Sequence, residues 1–384
     1  MKRGPSGRYE TTTVGGEAIR AFIPYPLPPR PALELSDVRY RLLDRAMLEL
    51  GRLDSVSLLL PAPELFLYTY VRREAVLSSQ IEGTQSSLSD LLLFELEESG
   101  GVPLNDVVEV SNYVAALEHG LKRMQEGFPL SNRLIREMHA ELLSRGRGSD
   151  KSPGEFRRTQ NWIGGTRPGN AYFIPAPPSH VEDCMGALER FLHDDPAVNS
   201  VLVKAALAHV QFETIHPFLD GNGRIGRLLI AFILHHDGAL SRPLLYLSLY
   251  FKQHREEYYR LLDLVRTEGD WESWVDFFLE GVVFTAGNAV RTARRLVDLF
   301  QEDREKIQTK GRRASTALRV FDILRYRPLI TINDVCKRTG LSFPAAGSGM
   351  DTLMQLNIAK EITSRRRNRI FAYERYMGIL NEEA

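Results

Sequence analysis

The densest chemistry in the chain lies in twelve consecutive residues, His216-Pro217-Phe218-Leu219-Asp220-Gly221-Asn222-Gly223-Arg224-Ile225-Gly226-Arg227. Gly221-Asn222-Gly223 can take left-handed backbone angles and aim successive N–H groups at one point. It opens into an apolar run, 224–236, that reads as a helix. A helix N-terminus offers unpaired N–H donors and the positive end of a dipole, which together favour an anion. Arg224 and Arg227 are three residues apart, so both guanidinium groups leave the first turn on one side, and their forked donors suit phosphate oxygens. A lone carboxylate beside that nest, Asp220, would be repelled by phosphate; it makes sense there as a ligand of Mg²⁺ bridging phosphate oxygens. His216 precedes the nest and can act as a general base near neutral pH. Each feature alone is ordinary, since Gly-Asn-Gly is commonly a turn and a single histidine commonly structural. Their conjunction points to a phosphate-handling site equipped with a base. The Gly-x4-Gly-Lys-Ser/Thr pattern of a P-loop is absent. His209, His235 and His236 have no ligand spacing with nearby acids and read as structural, which argues against zinc.

The elements that must position this run are mainly helical. Residues 1–35 are rich in Gly, Pro and Thr and read as an extended arm, with Pro24, Pro26, Pro28, Pro29 and Pro31 clustered. Helical spacing begins at Asp37, where Val38, Leu42, Leu43, Ala46, Met47 and Leu50 recur. Further helices are predicted over 63–80, 107–125 and 129–143, the last with Ile135, Met138, Leu142 and Leu143 on one stripe. Between 148 and 178 glycines and prolines punctuate two β-like pieces, 160–163 and 171–174, which predict a β-hairpin. Helices resume at 181–193, 198–213, 224–236, 250–266, 271–284 and 286–308. Residues 310–315 read as a linker to a small unit of helices and a β-like tail. There a helix capped by Thr331 runs to Gly340, a second spans 342–356, and a hairpin over 358–373 has its tip at 364–368.

Composition sets limits on the rest. The chain has 384 residues, 43% hydrophobic and 26% charged, with zero formal net charge, so nothing global points to nucleic acid or an anionic membrane. The basic excess is local to residues 310–384. Two cysteines, Cys184 and Cys336, make no disulfide framework and fit a reducing, cytoplasmic setting. No apolar segment follows Met1-Lys2-Arg3, so a signal peptide is not expected. The most apolar stretch, 228–234, is too short to span a bilayer.

The run at 216–227 closely resembles the signature of the Fic family, His-x-Phe-x-Asp/Glu-Gly-Asn-Gly-Arg-x-x-Arg, at every specified position. That resemblance implies a mainly α fold, a Fic-type helical core with a β-hairpin flap, while the order of elements over 310–384 resembles a small C-terminal winged-helix domain. It divides the chain into 1–100 (arm and inhibitory helix), 101–308 (catalytic core) and 309–384 (winged helix-turn-helix). It implies a protein adenylyltransferase that moves AMP from ATP, with Mg²⁺, to a Ser, Thr or Tyr hydroxyl of a target protein, which could be the protein itself. His216 would deprotonate that hydroxyl, Asp220 would hold the metal, and Gly221, Asn222 and Gly223 would cradle the α- and β-phosphates. Arg224 would bind the β-phosphate and Arg227 the γ-phosphate, while Phe218 would fix the loop from the core. Gly223 stands where kinase-type Doc relatives carry Lys, which favours adenylyl over phosphoryl transfer.

Three further stretches resemble parts of the family. Ser78-Ser79-Gln80-Ile81-Glu82-Gly83 is similar to its inhibitory motif, Ser/Thr-x-x-x-Glu-Gly/Asn, although alone it reads as a solvated helix end with Gly83 as cap. By that resemblance Glu82, with Ser78, would pair with Arg227 and displace the γ-phosphate. Residues 160–175 resemble the flap that clamps a target segment by strand addition, with Ile163, Gly164, Gly165 and Thr166 approaching nucleotide. Tyr258 and Tyr259 resemble the nucleoside-side helix, where aromatic faces could pack on adenine. A homodimer is admitted. The 310–384 unit could dock DNA through a basic wing or, as winged helices often do, another protein. Two alternatives remain open at this point: a DNA-binding regulator whose Fic core senses ATP, and a Fic enzyme that removes AMP or transfers another group.

Overall fold

A computed structural model of the protein describes residues 3–59, 63–97, 104–363 and 368–382. Two strands come first, β1 (Gly7–Val14) and β2 (Glu17–Pro24), and then helices α1 (Asp37–Leu59), α2 (Pro63–Ile81), α3 (Leu88–Glu97), α4 (Leu104–Gln125) and α5 (Asn132–Leu142). After an irregular stretch follow α6 (Pro178–Leu192), α7 (Val201–Ile215), α8 (Asn222–His236), α9 (Ser248–Gln253), α10 (Arg255–Glu268) and α11 (Trp271–Gln308). The C-terminal elements are α12 (Ala314–Tyr326), β3 (Leu329–Thr331), α13 (Ile332–Thr339), α14 (Phe343–Gln355), β4 (Lys360–Glu361), β5 (Ile370–Ala372) and α15 (Glu374–Asn381). The fold is mainly α, as expected. Among the described residues no helix is long and apolar enough to cross a membrane.

The chain divides into two compact units. The first comprises 1–51, 77–85 and 108–286. Its centre is the pair α7 and α8, which pack along each other and are buried almost all round. Ser200 caps α7, its Oγ accepting from Val203 N. Ser131 caps α5 in the same way through Leu134 N, and the predicted stripe on α5 is buried.

Several expectations are corrected. The N-terminal arm is extended only after Pro24; before it, β1 and β2 form an antiparallel hairpin with Val14 opposite Glu17. Gly15 and Gly16, both at positive φ, make the two-residue turn that matches the twist of such strands. The helix expected over 250–266 is two helices, broken at His254. The pair expected over 271–284 and 286–308 is one continuous helix; no proline interrupts the interval, and Thr285 and Ala286 are buried rather than capping.

The second unit comprises 52–76, 86–107 and 287–384. Its helices α12, α13 and α14 pack together beside a three-stranded antiparallel sheet of order β3-β5-β4. Thr331 and Asp334 form a capping box at α13, Gly340 ends that helix in a left-handed turn, and Ser342 caps α14. The hairpin expected over 358–373 is reduced to β4 and β5, and of its expected tip residues 364–367 lie outside the described residues. Helices α3 and α15 were not anticipated. Tyr373, just before α15, donates to Asp303 at 2.6 Å, and Arg375 pairs with the same carboxylate at 2.9 Å.

Candidate active site

The last residue after α7, His216, sits in a left-handed conformation (φ 52°, ψ 60°) that turns the chain out of the helix. Gly221 (φ 77°) turns it back in to start α8. Between them the loop is closed by Asn222, whose Oδ1 accepts from Phe218 N at 2.8 Å and whose Nδ2 donates to Phe218 O at 2.9 Å. The Asn222 side chain is thereby spent on the loop, and its place in the cradle is one of backbone. Asp220 Oδ1 accepts from Gly221 N at 2.6 Å. Phe218 is fully buried and its ring stacks on His139, 3.7 Å away and nearly parallel.

His139 was not singled out by sequence reasoning, because it lies on the apolar stripe of α5. Its Nδ1 accepts from Gly154 N at 2.9 Å, which leaves the proton on Nε2 to donate to Asp220 O at 2.9 Å. Burial pushes this imidazole down to about 4, so it is neutral at pH 7.

His216 is also neutral. Burial, and after it the charge of Arg157, push its imidazole down to about 4, and its buried Nδ1 has no hydrogen-bond partner among the described residues. Glu213, one turn earlier on α7, is raised by burial to about 7 against the pull of Arg227. A methyl group at Gly226 would overlap the Glu213 carboxylate, so α8 passes this side chain at backbone distance.

The two arginines are both buried and both engaged. Arg224 meets Glu109 of α4 at 3.3 Å and Asp220 at 3.5 Å. Arg227 is bound by the end of α2: Nε donates to Ser78 Oγ at 2.8 Å, and Nη2 donates to Ser78 O at 2.9 Å and to Glu82 Oε1 at 2.7 Å. The Glu82 carboxylate also lies over the first turn of α8, where a methyl group at Gly223 would overlap it. Burial opposes ionisation of Glu82, but the charge and hydrogen bond of Arg227, with the charge of Arg224, outweigh it and hold the carboxyl below its usual range. Motifs 145 residues apart thus meet at one guanidinium, and an anion already occupies the position that the helix terminus favours.

The stretch 160–175 is less regular than the expected hairpin. One bridge joins Ile163 and Phe173. Gly164 and Gly165 follow at positive φ, and Asn170 closes the turn by accepting from Thr166 N and Arg167 N, each at 3.0 Å. Of the tyrosine pair, Tyr258 lies in the core: it is 1% exposed, its hydroxyl is bonded to His209 Nε2 at 2.8 Å, and its ring stacks on Phe251. Tyr259 is the one with a ring open to solvent, under the guanidinium of Arg255.

Among the described residues no three His, Cys, Asp or Glu side chains gather as a metal cage. Asp220 is a single, part-exposed carboxylate. That donor set fits Mg²⁺, which is commonly held by one or two carboxylates with substrate phosphates and water completing its shell.

A sequence model of the Fic/DOC family N-terminal region matches residues 40–122, and one of the Fic/DOC family itself matches 129–234, short of the last two residues of α8. The matched regions, 40–122 and 129–234, belong to the Fic/DOC family. Among curated proteins, the "Protein adenylyltransferase Fic" of Drosophila grimshawi is 35% identical over 147 residues, 38% of this chain and 27% of that protein. The protein of the same name from Aedes aegypti is 36% identical over 147 residues, 38% of this chain and 26% of that protein. The chain thus spans about a quarter of the length of these curated relatives. Among solved structures, a Fic family protein from Desulfovibrio desulfuricans aligns with a TM-score of 0.58 at 20% identity, covering 89% of this chain and 97% of its own. At that identity the likeness is one of fold.

Proposed function

We propose that this Fic protein is a protein adenylyltransferase, moving AMP from ATP to a hydroxyl side chain of a target protein, and that Glu82 holds it inactive. The observation that carries the reading is the Glu82 carboxylate bound to Arg227 over the first turn of α8, beside a neutral His216. In the active state the γ-phosphate takes the place of that carboxylate on Arg227, and Arg224 faces the β-phosphate. His216 removes the proton of the target hydroxyl. The freed oxygen forms a bond to the α-phosphorus as the bond to the β-phosphate oxygen breaks, and pyrophosphate leaves. Asp220 would hold Mg²⁺, which would supply charge neutralisation on the departing group. The name carried by the relatives from Drosophila and Aedes supports the same chemistry.

The brake follows from exclusion. Glu82 and the γ-phosphate need the same guanidinium, so the two states compete. A few kcal/mol in favour of the carboxylate leaves about one molecule in a hundred or fewer competent. The test is to incubate Glu82→Gly protein with ATP labelled at the α- or the γ-phosphate. Label retained from α alone is expected; label from γ alone means kinase chemistry and overturns the reading.

For the C-terminal elements we infer a winged helix-turn-helix, supported by the order α12-β3-α13-α14-β4-β5. Helix α14 carries no Lys or Arg and exposes Phe343, which favours a protein partner over DNA. No mobility shift of random duplex DNA is expected at physiological salt, and a salt-sensitive shift would overturn that choice.

A further inference from the structure

Arg157 is 3% exposed, and its bonds go to backbone carbonyls. Nε donates to His216 O at 2.9 Å; Nη2 donates to Ile215 O at 3.3 Å and to Ala176 O; Nη1 donates to Thr159 O at 3.4 Å. No carboxylate of a described residue pairs with it. A buried guanidinium without a counter-ion is costly, and burial lowers its own pKa to about 10. Its neighbours extend the pattern: Arg157 N donates to Pro217 O and Asn161 Nδ2 to Phe218 O, both at 2.9 Å. Four consecutive carbonyls, Ile215 to Phe218, are therefore held by residues 157–161. The same stretch ties down the far end of the 160–175 segment, through Gln160 to Pro175 O and Arg157 to Ala176 O.

We propose that Arg157 is a positioning residue for His216, whose carbonyl it binds to fix the direction of the imidazole and on which its unpaired charge acts. The proposal rests on the reading of His216 as the base. The geometry gives Arg157 two separable effects. Its fork of donors fixes the backbone on which the ring is mounted, which a point donor does less well. Its charge disfavours protonation of the ring. The groups facing His216 are Arg157, Glu82, Arg266 and, through its backbone, Glu213; burial and the two arginines push the imidazole down, while Glu82 and the Glu213 carbonyl push it up. When Glu82 withdraws from Arg227 the opposing carboxylate is lost, and Arg157 weighs more heavily on the ring. Arg157 opposes protonation of the ring whichever anion, the Glu82 carboxylate or the γ-phosphate, sits on Arg227.

Full-chain Glu82→Gly protein, alone and with Arg157→Gln, Arg157→Lys or Asn161→Ala, provides the test. The His216 ring is titrated by NMR without ATP, and kcat and KM for ATP are followed against pH. Arg157→Gln is expected to raise the His216 midpoint and the acid limb of kcat together by roughly one pH unit. Arg157→Lys keeps the charge, so its midpoint stays, while the loss of the fork lowers kcat about tenfold with KM for ATP unchanged. Asn161→Ala removes one loop bond and no charge, and its midpoint stays as well. An unmoved midpoint in Arg157→Gln, or equal shifts in all three variants, overturns the proposal. If Arg157→Gln does not fold, Arg157→Lys decides through its predicted drop in kcat, and an unchanged kcat overturns it. Absence of transfer in the Glu82→Gly parent would sink the adenylyl reading alone, because the NMR titration still judges Arg157.

Discussion

The motif loop, 216–222, and the 160–175 segment are built on opposite principles. Every carbonyl from Ile215 to Phe218, and that of Asp220, accepts a bond from Arg157, Asn161 or His139. The 160–175 segment has one bridge, Ile163 with Phe173, and two large side chains in solvent, Trp162 and Tyr172. Charges that must meet a transition state gain from a site arranged before substrate arrives, because reorganisation then costs nothing at the moment of reaction. A segment that offers its backbone to a peptide gains from leaving that backbone unspent. On the proposed function, the contrast separates the part that would do the chemistry from the part that would meet the target.

Acid should strike the first region hardest. His139 and His216 titrate near 4 and His209, buried between Gly226 O and Tyr258, near 3, all below the ordinary 6.5. As pH falls the unfolded chain takes up protons before the folded one does. Their contribution is therefore complete above about 6.5, drains between 6.5 and about 3, and is spent below. The depressed carboxyl of Glu82 acts in the same direction at lower pH. A stability loss of about 3 kcal/mol for each of the three histidines is expected across this window, read as a falling denaturation midpoint. In His139→Gln the slope should lessen by about one proton; an unchanged slope would mean that His139 is not held neutral.

A smaller effect is expected from Gly165→Ala. A methyl group there would overlap Asn170 O, at a backbone φ of 70°, so a loss of roughly 1–2 kcal/mol should come from strain in the turn. Target modification should fall further than ATP consumption without target; equal losses in both would erase the division between the two regions. The least effect on stability belongs to Tyr172→Ala, within about 0.5 kcal/mol, since the side chain is exposed. That variant sharpens the comparison through a raised KM for target protein at constant kcat, and an altered kcat would count against it.

What could be seen in the sequence follows the same division. The twelve-residue run, the start of α8, and the motif ending at Gly83 are local patterns, and their meeting at Arg227 was legible because both are specific. Arg157, Glu109 and His139 were not legible. Each acts on the loop from 59 to 115 residues away, and each carries a residue type that is unremarked on its own element. The β1–β2 hairpin was hidden by a Thr-rich, largely exposed first strand and by the prolines after it, although Gly15-Gly16 between alternating residues was its signal. Tyr258 resembles a nucleoside contact of the family, while its burial against His209, Phe251 and Trp274 is a property of packing.

The central claim is that one carboxylate keeps one guanidinium from ATP while the base stands ready. It is tested most directly by transfer of α-labelled phosphate from ATP in three proteins: wild type, Glu82→Gly, and Glu82→Gly with His216→Ala. The account predicts weak labelling, strong labelling, and a fall of roughly 10²–10⁴ from the second to the third. Wild-type labelling equal to that of Glu82→Gly, or labelling that survives the loss of His216, would contradict it.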